Sequence, residues 1–183
     1  MTTERDITKL TGQLTDNDVH RLRMLAALVP PNGLLVEIGA FRGKSTAALA
    51  SGMAAGCHLV SIDPWCLQVA GPQGYETLET MNAYRQAIEP WQQHITQIVA
   101  WPTHVIPFWG GEIDLLFMDC VKGYEGLYNL WRAWLPFVKP GGWCVSHDYH
   151  EKYSGVIQVI ERVIKPATNN HSHVDYTWSG QKI

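Results

Sequence analysis

Five short apolar runs alternate with helical segments along this chain, and that alternation constrains the fold more than any other feature. The runs are GLLVEIG (33–39), HLVSID (58–63), ITQIVAW (95–101), IDLLFMD (113–119) and WCVSHD (143–148). Continuous apolar runs bounded by turn residues suit strands buried on both faces. In TDNDVHRLRMLAALV, Val19, Leu22, Leu25, Ala26 and Val29 recur at helical spacing, with Thr15 or Asp16 as cap and Pro30–Pro31 as stop. KSTAALASGMA is a small-residue segment able to lie close against a sheet. YETLETMNAYRQAIEPW reads as helix up to Pro90, and YEGLYNLWRAWLPFV follows the fourth run. SGVIQVIERVIK carries Val156, Ile157, Ile160, Val163 and Ile164 on one face. KPGG (139–142) reads as a turn, residues 102–112 as a connection with a short helical turn, and HVDYTW as one last strand.

This order predicts an α/β protein: a Rossmann-like, doubly wound, mostly parallel sheet with right-handed crossovers and helices on both faces. The 183 residues suit one domain, 1–183, with residues 1–14 as an N-terminal extension. A single strand after the last helix leaves the sheet edge for a partner subunit to complete. Eight tryptophans fit a core, a homodimer interface or a pocket wall equally well.

Several function classes are disfavoured by composition. A net charge of −3 argues against a nucleic-acid partner. No run approaches the roughly 20 apolar residues of a membrane span. MTTERDITKL is too polar for a secretory signal, which points to a cytoplasmic setting. The four cysteines, Cys57, Cys66, Cys120 and Cys144, form no C-x-x-C pair and read as free thiols, mostly buried.

In a sheet of this kind ligands bind beyond the carboxyl ends of the strands. Glu37, Asp63, Trp101, Asp119, His147 and Asp148 stand at those ends. The loop between strand one and the next helix, VEIGAFRGKST, admits three readings. A phosphate-binding P-loop needs four residues between its glycines, and Gly39 to Gly43 leaves three. A dinucleotide fingerprint needs a central glycine where Phe41 stands. The third pattern, E-x-G-x-x-x-G, is met by Glu37, Gly39 and Gly43.

That third pattern resembles motif I of the class I S-adenosylmethionine-dependent methyltransferases. The donor has no phosphate, so no anion nest is needed. The resemblance implies that Glu37 helps to hold the donor ammonium, that Gly39 admits close backbone approach, and that loop amides with Ser45 meet the donor carboxylate. Asp63, 20 residues after Gly43, would accept from the ribose hydroxyls. Trp101 would lie by the adenine.

VEIGAFRGKSTAALA, VSIDPW, IDLLFMDCVKGYEGLYNLWRAWLPFVKPGG and SHDY together resemble the methyltransferase-24 group of small-molecule methyltransferases. The likeness spans roughly residues 15 to 165. It implies methyl transfer to a small-molecule acceptor, most readily at oxygen, and Asp119 borders both the donor and the acceptor. In metal-dependent relatives the positions of Asp119, His147 and Asp148 hold a divalent ion. A histidine at 147 suits manganese, iron or zinc better than magnesium. His147 is alternatively the base that takes the acceptor proton near neutral pH. Trp65, the 64–74 loop and Tyr149 are expected to wall the acceptor pocket, with Tyr75 and Tyr124 contributing and residues 75–89 as a lid. The rival readings are a donor-binding protein of this fold without turnover, and a P-loop-like or dinucleotide-binding protein.

Overall fold

The computed structural model describes residues 6–65 and 78–183. Strands β1 (Leu34–Ile38), β2 (His58–Asp63), β3 (Ile95–Val99), β4 (Ile113–Met118) and β5 (Val138–Ser146) alternate with helices α1 (Asp16–Ala27), α2 (Lys44–Gly52), α3 (Leu78–Ile88), α4 (Pro102–Val105), α5 (Tyr124–Trp134) and α6 (Ser154–Val159). Two further strands, β6 (Thr168–Val174) and β7 (Thr177–Lys182), follow α6. The seven strands form one sheet in the order β3-β2-β1-β4-β5-β7-β6. β1 to β5 pair in parallel, and β7 runs antiparallel between β5 and β6.

The continuous apolar runs arise because the strand period of two feeds two cores at once. On one face Val36, Ile38, Leu116 and Met118 pack against Leu127, Trp131 and Trp134 of α5 and against Val156 and Val159 of α6. On the other, Leu35, Leu59, Leu115 and Phe117 meet Leu22 and Leu25 of α1 and Ala47, Ala48 and Leu49 of α2. Small residues on α2 let it lie close to α1 and the sheet. Trp65, Trp131, Trp134 and Trp178 are fully buried, so the core explains much of the tryptophan content.

Helix α1 starts with a reciprocal capping box: Thr15 accepts from the Asp18 amide, and Asp18 accepts from the Thr15 amide. The expected single last strand is in fact a hairpin. HVDYTW spans the end of β6, the tight turn at Asp175–Tyr176 and the start of β7. Asp175 adopts φ 46°, which an Asp tolerates better than most side chains. The β7 strand lies against β5, so this chain itself extends the sheet where a partner subunit was expected. KPGG does not end the element: it lies inside β5, where the pairing with β4 shifts register between Ile113 and Leu115. The last amphipathic helix continues from α6 as a π-helical turn, Ile160–Ile164, with Ile160 and Ile164 still buried.

Candidate methyl-transfer site

The carboxyl ends of β1, β2 and β4 open into a cleft of about 950 Å³. This lies in the size range of small-molecule sites. Its floor is the loop from Gly39 to Arg42, and Asp63, Trp101, Asp119 and Lys122 stand on its walls. Three non-glycine residues at the strand ends have positive φ: Phe41 at 46°, Trp65 at 35° and Asp148 at 60°. Backbone strain of this kind concentrates at functional sites.

Gly39 has φ 90°, and a Cβ there would lie 2.1 Å from the carbonyl oxygen of Asp119. The close approach that demands glycine is therefore made by the chain leaving β4. The loop is held from beneath by two carboxylates. Asp63 accepts from the amides of Ala40 (2.8 Å) and Phe41 (3.0 Å) on one oxygen and from the Trp65 amide (2.7 Å) on the other. Burial pushes the Asp63 pKa up, against the pull of these three amides.

Glu37 is fully buried and does not line the cleft. It accepts from the hydroxyls of Ser45 and Thr46, each at 2.5 Å, and of Ser61 at 2.8 Å. Burial pushes its pKa up to about 7, with the nearby Asp63 charge adding to the rise and the three hydroxyls opposing it. Its place is under the loop, where it joins β1, β2 and α2. Ser45 reaches the cleft, but its hydroxyl hydrogen is directed at Glu37. Trp101, 39% exposed, stands at the cleft edge beyond β3.

Residues 12–14, which the sequence suggests as part of an extension, are a wall of this cleft. The buried Lys44 ammonium donates to the Leu14 carbonyl at 3.0 Å, and Leu14 packs in the core beside α1 and α2.

Just beyond β4 and β5 the chain gathers charges of both signs. Asp119, His147 and Asp148 come together, with one potential ligand atom from each all within 4.8 Å of one another. Lys122, three residues after Asp119, places its ammonium on Asp119 Oδ1 and on Asp148 Oδ2. The other oxygens, Asp119 Oδ2 and Asp148 Oδ1, face His147 Nδ1 at 3.4 and 3.6 Å. His147 Nε2 lies 3.4 Å from Asp18 Oδ2. Asp18, fully buried, also accepts from the Tyr176 amide and the Thr177 hydroxyl. Burial works against a charged imidazole here, but Asp119, Asp18 and Asp148 outweigh it and raise the His147 pKa to about 10. Burial likewise opposes the Asp119 charge, yet Lys122 and His147 hold its pKa well below the usual carboxylate range.

Three expectations change accordingly. His147 is 4% exposed, does not line the cleft and is ringed by carboxylates that favour its charged form, so it is not placed to take a proton from an acceptor there. Trp65 is not a substrate wall. Its ring is completely buried against Tyr84, and its Nε1 donates to the Phe41 carbonyl at 2.7 Å because a buried indole N–H needs a partner. Tyr149 turns away from the cleft, with its hydroxyl on Glu161 and its ring against His173. Pro64 does line the cleft, as do Val121, Asn129, Lys152 and Tyr153. The expected contributions of the rest of the 64–74 loop and of Tyr75 fall on residues 66–77, outside the described residues. Lys122 and Asp18 are the functional candidates that motif reading missed. Their signals were present: a lysine three residues beyond a strand-end Asp, and a capping-box Asp.

The divalent ion implied by the resemblance fits poorly. Magnesium and manganese seek several free oxygens, and all four carboxylate oxygens here are turned to nitrogen.

Five parallel strands, a reversed seventh strand inserted beside the fifth, and a glycine loop tied to an acidic second-strand end define the architecture of the class I methyltransferases. Solved structures agree on the fold. A protein from Corynebacterium glutamicum superposes with a TM-score of 0.74 at 16% identity, over 99% of this chain and 92% of that one. The O-methyltransferase TomG from Streptomyces achromogenes, involved in tomaymycin synthesis and solved with S-adenosylmethionine, gives 0.70 at 16% identity, over 93% and 82%. An rRNA-methylase-like protein from Clostridium thermocellum gives 0.67 at 11% identity, over 94% and 100%. A sequence comparison with curated proteins gives no match. The methyltransferase-24 profile, a methyltransferase domain, matches residues 36–149, and the chain belongs to that family.

Proposed function

We propose that the chain transfers the methyl group of S-adenosylmethionine to a hydroxyl of a small molecule. The observation that carries this reading is one cleft lined by two unlike sets of groups: a glycine loop with Asp63 and Trp101, and the Asp119–Lys122 pair. The first set suits a nucleoside and the second a polar acceptor. The S-adenosylmethionine bound in the solved structure of TomG supports the choice of donor.

Asp63 is the ribose partner. Its three amide bonds leave about one of the four acceptor positions of a carboxylate free. Trp101 offers an apolar edge to the purine, and the oxygen of Ser45 remains available as an acceptor for the donor ammonium. Gly39, Gly43 and Glu37 shape and brace the loop rather than touch the donor.

Transfer is an in-line displacement. The acceptor oxygen forms a bond to the methyl carbon as the carbon–sulfur bond breaks, leaving S-adenosylhomocysteine. Alignment of the three atoms supplies much of the acceleration. As the bond forms the hydroxyl becomes strongly acidic, so a carboxylate of low basicity suffices to receive its proton. Asp119 faces the cleft and is placed for that role, with the Lys122 ammonium holding the acceptor oxygen. His147 and Asp148 are positioning residues that act through Asp119 and Lys122. Three free cysteines among the described residues are consistent with the cytoplasmic setting we favour. No described helix is long and apolar enough to cross a membrane.

Calorimetry of the chain with S-adenosylhomocysteine, ATP and NAD tests the donor. Binding of the first alone is expected, and preferential binding of either nucleotide would sink the proposal. Transfer of a labelled methyl group to a set of phenols, sugars and aliphatic alcohols tests the chemistry. Donor binding with no transfer to any of them would favour a binding protein of the same fold.

A further inference from the structure

We infer that the acceptor corner is a metal-free site, in which the ammonium of Lys122 stands where a divalent cation would bridge Asp119 and Asp148. Each carboxylate turns one oxygen to Lys122 and the other to His147. Each oxygen of the pair has a nitrogen within 3.6 Å, which is the arrangement a filled cation site has. The corner is also closed from behind: His147 reaches on to Asp18, and Asp18 is bonded to the β6–β7 turn.

The lysine has two advantages over an ion from solution. It leaves the loop three residues after Asp119, so it is present at a high effective concentration whatever the free metal level. It is also already partly withdrawn from water, its side chain 35% exposed, whereas magnesium gives up water reluctantly. A divalent ion entering the corner would leave the displaced ammonium as a like charge beside it, in a place of low solvent access. Lysine carries three donors and no acceptor. With two of its hydrogens on Asp119 and Asp148, the third is free for an acceptor oxygen in the cleft that Lys122 lines. One ammonium therefore performs the charge-neutralising and orienting work otherwise given to the metal.

The test is Mn²⁺ binding to the full chain, followed by electron paramagnetic resonance of the free ion, for the native protein, Lys122→Met and Lys122→Arg. Metal occupancy is read without any methyl transfer, so its outcome is separable from the donor assignment. The native chain and Lys122→Arg are expected to take up no stoichiometric Mn²⁺. Lys122→Met is expected to gain one site per chain, more than about tenfold tighter than any native uptake, about 1.4 kcal/mol. Asp148→Asn in the Lys122→Met background should remove it. Thermal melting and far-ultraviolet circular dichroism identify a variant that has lost its fold, and Lys122→Gln then replaces Lys122→Met. One Mn²⁺ per native chain, lost on Asp119→Asn or Asp148→Asn, would overturn the inference. A folded Lys122→Met chain with no gain of Mn²⁺ would overturn it too, because the carboxylates would then not constitute a cation site.

Discussion

Replacing Glu37 by Gln isolates the fully buried one of the two carboxyls that brace the glycine loop. Glu37 is fully buried and takes three hydroxyl hydrogen bonds, yet burial still lifts its pKa from the ordinary 4.5 to about 7. A carboxyl of this kind holds its proton more tightly in the folded chain than in the unfolded one. Between pH 4.5 and about 7 the folded state carries more protons, so stability falls as pH rises through that window and is flat above it. At about 1.4 kcal/mol per pH unit, the full loss is about 3 kcal/mol. Gln has nearly the same shape, never ionises, and can keep hydroxyl partners that reorient to its amide. Glu37→Gln should therefore match the native chain near pH 5 and exceed it at pH 8 by up to about 3 kcal/mol. Urea unfolding of both proteins at half-unit steps from pH 5 to 8 measures the difference, and other titrating groups cancel in the comparison. If the native-minus-variant difference does not change with pH, or if Gln is the less stable at pH 8, the three hydroxyls ionise Glu37 comfortably and the reasoning fails.

Asp63→Ala should weaken S-adenosylhomocysteine binding by about 1–3 kcal/mol through loss of a charge-assisted hydrogen bond, read by calorimetry; unchanged affinity removes Asp63 from the ribose site. Gly39→Ala sets a methyl group against the Asp119 carbonyl in a left-handed conformation. It should cost about 2 kcal/mol or more in urea unfolding, and a neutral result would show that the β1 and β4 ends separate easily. His147 has its pKa raised to about 10, so its contribution is present below its unfolded value near 6.5 and is lost as pH rises through 10. His147→Gln should thus be less stable than the native chain at pH 6 and approach it at pH 10. An equal deficit at both pH values would mean that the imidazole is neutral.

The fold was legible wherever one physical constraint governed a whole segment. The apolar runs of β1 and β4 have to be continuous because Leu35 and Val36, or Leu115 and Leu116, serve opposite cores. The hairpin at the end was not legible, because β6 is mostly exposed and polar and its sequence has no alternation to read. KPGG looked like a turn because Gly and Pro weaken strands in general, and only its pairing with β4 keeps it in β5.

The site divided in the same way. Asp63 and Asp119 reach the cleft as their strand-end positions suggested, while Glu37, His147, Trp65 and Tyr149, equally prominent in the sequence, do not line it. By itself the sequence determined the layer order, the location of the cleft at the strand ends and the family, because these follow from periodicity and from local spacing. Only the tertiary structure decided which carboxylates face ligand and which face hydroxyls or cations. That choice rests on Ser61 and Asp18, brought from distant parts of the chain, and on Lys122, which the fold sets between Asp119 and Asp148, and the energy of a buried charge is set by those neighbours rather than by its own residue type.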